Sequence, residues 1–77
     1  SKEFEVVKIN DCSVGDVCWM VTRHFTKPLY GEITAIFETE NAIQIMTDHD
    51  GFRLALCDHC FWNEKDAKEF RKNQKNN

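Results

Sequence analysis

Apolar and polar residues alternate along most of this chain, a pattern that predicts strands rather than helices. The clearest run is Tyr30-Gly31-Glu32-Ile33-Thr34-Ala35-Ile36-Phe37. A strand from Glu32 to Phe37 puts Ile33, Ala35 and Phe37 on one face and Thr34 and Ile36 on the other. Upstream, Val17 to Val21 predicts a strand with Val17, Trp19 and Val21 opposite Cys18 and Met20, and Trp19 reads as core. Downstream, Ala42 to Thr47 sets Ile43 and Ile45 against Gln44 and Met46. Phe52, Leu54 and Leu56 then alternate with Arg53 and Ala55. Phe4, Val6 and Ile9 predict a short first strand, although Val7 interrupts its alternation.

The connections carry turn chemistry. Asn10 to Ser13 is rich in side chains that bond their own backbone, Gly15 frees a tight bend, and Asp16 is placed to accept a bond from that turn. Residues 22–30, which contain Pro28, read as an exposed loop, because proline cannot donate to a ladder. Glu38 to Asn41 is a polar turn, and Asp48-His49-Asp50-Gly51 is a hairpin signal. At the end of the chain the period changes. Asn63 caps a helix from Glu64 to about Lys72, with Asp66 at the capping-box position and Trp62 stapled to Ala67. Glu64 and Lys68 lie one turn apart, and Ala67 and Phe70 share the face that docks. Residues 1–72 are therefore expected to form one domain and residues 73–77 a frayed polar tail.

Seventy-seven residues bury only a thin core, which the two tryptophans and six phenylalanines must help to fill. A closed sheet of that size leaves little space for a reaction chamber, so the expectation is a protein without catalytic activity. No apolar run is long enough to cross a bilayer and no basic-then-apolar leader is visible, so no membrane association and a cytoplasmic location are expected. The net charge of −3 is unevenly distributed. Residues 1–64 hold five bases against eleven acids, and residues 65–77 hold five bases against two. The acidic body disfavours general phosphate binding, whereas the basic end favours it.

Val14-Gly15-Asp16-Val17, the run Tyr30 to Ile36, its paired strand and the glycine hairpin together resemble an SH3-like small barrel over residues 14–62. The resemblance implies a mainly β fold of about five strands with a short C-terminal helix. It implies a binding role like that of Tudor-like, KOW-like and ribosome-associated modules, which bind peptides or nucleic acids. The small, acidic, solitary domain is also similar to phage-encoded accessory proteins that bind host factors.

Two constellations carry candidate chemistry. Cys57-x-x-Cys60 has the spacing of a zinc knuckle, and Cys12 with Cys18, His24, His49 or His59 would complete a tetrahedral set, the four cysteines being the first choice. The competing readings are buried small hydrophobes, a redox dithiol and a pair of disulfides. No other cofactor is suggested. His49 between two aspartates reads as an ordinary polar hairpin tip, and no nucleophile-base set or phosphate loop is present. The second constellation interleaves rings and bases: Arg23, His24, Phe25, Lys27 and Tyr30, with Phe25 and Tyr30 as exposed contacts. Such a patch suits a protein partner, because Tyr and Arg dominate interface hot spots. The first expectation is therefore a module that binds and regulates another protein. A nucleic-acid-binding module using this loop with Lys68, Arg71 and Lys72 is the second, and a zinc-stabilised domain the third.

Overall fold

The computed structural model describes residues 4–75. Five strands run β1 (Val17–Met20), β2 (Leu29–Phe37), β3 (Ala42–Thr47), β4 (Gly51–Leu56) and β5 (Cys60–Phe61), followed by helix α1 (Glu64–Lys75). The expected mainly β fold with a C-terminal helix is present. All neighbours are antiparallel, in the order β4-β3-β2-β1-β5. The expected closure into a barrel does not occur: β4 and β5 are the two edges of one open sheet, and no ladder joins them.

Local chemistry sets the turns. Ser13 donates its backbone N–H to the Asp16 carboxylate at 2.9 Å, as the sequence predicts, and Gly15 turns at φ 102°. This turn docks on β2 through Gly15 N–H to Ile33 O and Ile33 N–H to Asp16 O, at 2.8 and 2.7 Å. Between β3 and β4, the Thr47 hydroxyl accepts from Asp50 N–H and donates to Gly51 O, closing the hairpin. Gly51 alone of the four hairpin residues takes a positive φ, 75°. The Asn63 cap forms as the sequence predicts. Asn63 Oδ1 accepts Asp66 N–H at 2.8 Å, and the exposed Glu64–Lys68 pair lies one turn along. Asp66 also accepts Glu5 N–H, which fastens the N-terminal segment to the cap. The predicted staple is not realised: Trp62 packs on the main core, whereas Ala67 belongs to the outer-face cluster.

Three boundaries differ from the sequence reading. The predicted first strand is a 3-10 turn at Ile9–Asp11 and a single bridge from Val6 to Phe61. Val7, the residue that broke the alternation, is the buried one, and its N–H bonds Cys60 O. β2 starts at Leu29, inside the predicted loop, because Met20 and Trp19 pair with Leu29 and Tyr30. The helix runs on through residues 73–75 of the expected tail, whereas residues 76 and 77 lie outside the described residues.

The sheet has two apolar faces. The inner one carries Cys18, Met20, Leu29, Ile33, Ile43, Ile45, Ala55 and Cys60, joined by Val7, Cys12 and Cys57 into the main core. A register shift between Ile33 and Ala35 turns β2 over, so Ile36 packs inward and Phe37 faces solvent. The predicted grouping of Ile33 with Ala35 and Phe37 fails for that reason. In β1 the residues facing the main core are Cys18 and Met20, not Val17 and Trp19. Trp19 joins Val21 and Phe61 on the outer face, under Phe4, Val6 and the Ala67 and Phe70 side of α1.

Candidate functional site

The helix covers only the β1–β5 end of the outer face. Over β2, β3 and β4 that face is open. Its rows follow from the pairing: Phe52, Met46, Glu32 and Val17 in one, Leu54, Gln44 and Ala35 in the next, Leu56, Ala42 and Phe37 in the last. Leu54 is 68% exposed, Phe52 59% and Leu56 51%, and Phe37, Met46, Val17 and Tyr30 are also exposed. Single exposed apolar residues are ordinary, whereas a field of them on one sheet face is a candidate interaction surface.

A groove of about 920 Å3 opens beside that face, where the sheet fails to close. One wall is Arg53 to Leu56 of β4, and the other is Met20 to His24 with His59, Arg71 and Gln74. The expectation of a protein with no sizeable cleft is corrected here, because the open seam between the sheet edges supplies one. Its ionisable groups among the described residues are Arg23, His24, Arg53, His59 and Arg71, with no carboxylate or thiol among them. Such a lining attracts anions and holds no proton-accepting carboxylate.

The five residues of the predicted loop patch do not form one surface. Arg23 and His24 line the groove. Phe25 is half-buried, packed on the core, with its ring edge-on to His49 at 5.3 Å and Arg53 over it at 5.7 Å. It joins the loop to the β3–β4 hairpin and is not a free contact. Lys27 is exposed on the loop, away from the groove lining. Tyr30 stands on the outer face against Trp19, with ring centres 4.9 Å apart.

The basic helix does meet the loop. Arg71 Nε donates to Phe25 O at 3.2 Å, and Thr26 shares a shallow hollow of about 190 Å3 with Lys68, Arg71 and Lys72. Sequence reasoning missed Arg53, His59, Phe37, Met46, Phe52, Leu54 and Leu56. The available signal was that β3 and β4 carry apolar residues in both phases, more than one core can take.

Cys12, Cys18, Cys57 and Cys60 converge in the main core as free, buried thiols, so the disulfide reading is not realised. Among the described residues, no group of three or more His, Cys, Asp or Glu is arranged to hold a metal ion. Three of the four thiols are shifted toward the protonated form. Burial raises Cys12, and burial with the neighbouring Cys12 pushes Cys57 from the ordinary 9.0 to about 11. The hydrogen bond shared with Cys18, then burial, raises Cys60, and the same bond lowers Cys18. A raised folded value stabilises the fold below pH 9, and that stabilisation is lost as pH rises through about 11. Urea midpoints measured from pH 8 to 11.5 should therefore fall across this window, and fall less in Cys57→Ala. Equal slopes would show that Cys57 does not contribute.

No helix among the described residues is long and apolar enough to cross a membrane. No family model, curated protein or solved structure matches the chain, so the reading of these surfaces rests on their own geometry.

Proposed function

We propose that this chain is a non-catalytic binding module whose open outer face docks on a protein partner and regulates it. One observation carries the reading: Phe37, Met46, Phe52, Leu54 and Leu56 form a contiguous exposed apolar field on a rigid sheet. The sequence resemblance to SH3-like modules, which rarely catalyse, points the same way, although the sheet here stays open. A folded chain that leaves this much apolar surface in water forgoes roughly 25 cal/mol for every Å2 not buried, which a partner recovers on docking.

Variants Met46→Glu and Phe37→Glu test the face without touching the groove. Co-purification from the native cell should recover a partner with the parent chain and at least about tenfold less with the double variant, as expected when hot-spot side chains are lost. Lys27→Ala should leave recovery unchanged. Equal recovery with the double variant would move the interface elsewhere and overturn the reading.

The convergence of the 22–28 loop with Lys68, Arg71 and Lys72 favours nucleic acid as a second reading. It requires affinity that falls steeply with salt.

A further inference from the structure

We propose that the groove between the free edge of β4 and the Thr22–His24 turn receives an extended acidic segment of the partner protein, which adds to β4 as a further strand. This rests on the protein-binding reading and specifies the form and charge of what is bound.

The edge itself is the first argument. β4 pairs only with β3, and no backbone bond joins Phe52 to Ala55 to any other described segment. Four consecutive residues, Arg53 to Leu56, line the groove. Consecutive strand residues point to opposite faces, so what they share along the groove is the strand edge with its N–H and C=O groups. Proteins blunt such edges with lysine, proline, bulges, inward-pointing charges or a covering element. β4 has one of these, the inward-pointing Arg53 opposite Ile45, and that charge is held by Asp50; its free edge has no lysine, proline or bulge. An edge left this open is suited to strand addition.

Charge selects the occupant. Arg23, Arg53 and Arg71 line the groove with His24 and His59, and no acid lines it among the described residues; Arg53 is already paired with Asp50, which leaves Arg23 and Arg71 to attract the segment. Arg23 makes no ion pair among the described residues. The alternation of an added strand then dictates its sequence. Side chains on the outer face meet Leu54 and Leu56, and those on the inner side meet Arg53 and Ala55. The segment that fits alternates apolar and acidic residues. A second copy would bring the same arginines against themselves. Single-stranded nucleic acid needs stacking rings, and no Phe, Tyr or Trp lines the groove.

The test titrates the isotope-labelled full chain with a blocked octapeptide alternating valine and glutamate, followed by amide shifts and amide exchange. Shifts should localise to Phe52–Leu56 and Thr22–His24, with slowed exchange in β4. N-methylation of the peptide amides that face β4 should weaken binding at least tenfold, while methylation of the outward set should not. Arg23→Glu, an exposed position, should weaken it similarly with the rest of the spectrum unchanged. A valine–lysine octapeptide should leave the groove silent.

No localised shift at millimolar peptide would overturn the proposal. So would an equal response to the lysine peptide, indifference to N-methylation, tighter binding of an oligothymidylate at the same amides, or a β4-paired dimer in sedimentation. The two readings fail separately. A silent groove with capture still lost in Met46→Glu and Phe37→Glu removes strand addition alone, whereas capture retained in those variants removes the docking face itself.

Discussion

Phe61→Ala should destabilise the fold by about 3–5 kcal/mol, the range for removing a fully buried ring. Phe61 is 0% exposed and sits where three separate segments meet. It pairs with Trp19 of β1, bridges to Val6 of the N-terminal segment, and lies against Phe70 of α1 with ring centres 5.0 Å apart. Phe4 meets it edge-on at 6.1 Å. β5 has only two residues, so few hydrogen bonds hold it once the ring is gone. A domain of this length has roughly 4–12 kcal/mol of total stability, so the variant loses a large share of it. The urea midpoint should fall accordingly. Phe52→Ala is the control: the same residue type, 59% exposed on β4, should shift stability by no more than about 0.5 kcal/mol. Similar losses in the two variants would mean that the outer face is buried in solution.

Gly31→Ala should cost about 2–3 kcal/mol, a large effect for one methyl group, because overpacking forces backbone to move. A Cβ at Gly31 would stand 2.8 Å from Met46 O and 3.2 Å from Met46 C, both backbone atoms of the neighbouring strand. Neither can rotate away as a side-chain tip would. Gly31 pairs with Thr47 on one side and Cys18 on the other, so widening the β2–β3 spacing also disturbs β1. Denaturant unfolding measures the loss, and exchange of β2 and β3 amides should accelerate with it. Unchanged midpoint and exchange would show that the two strands can separate locally without cost. Glycine is needed here for close approach, whereas at Gly15 and Gly51 the need is a positive φ, with nothing within 4 Å of an added Cβ.

The sites were less legible than the strands. The sequence pattern located β1, β3 and β4 within a residue or so, along with the Asp16 turn, the Thr47–Gly51 hairpin and the Asn63 cap. It did not locate the seam. Nothing in Arg53-Leu54-Ala55-Leu56 says that this strand ends the sheet, since edge and centre share the same alternation. Arg23, Arg53, His59 and Arg71 are scattered through the chain and share no spacing, so only the curl of the sheet brings them together around one groove. The loop patch was misassembled for a related reason. Phe25 and Tyr30 are five positions apart but serve the core side and the outer face respectively, a division made by β2 starting at Leu29.

What the amino-acid order determined by itself was local: where the chain extends, where it turns, and where the helix is capped. Those choices depend on sterics and hydrogen bonds among near neighbours. Tertiary structure decided which face of each strand is core, because β3 and β4 offer apolar residues on both sides and only the elements packed against them can choose. The inner face is filled by Val7, Cys12 and Cys57 from distant segments, and α1 reaches only the β1–β5 end of the other. The open remainder, with an unpaired edge beside it, is where the protein meets its partner in the reading proposed above.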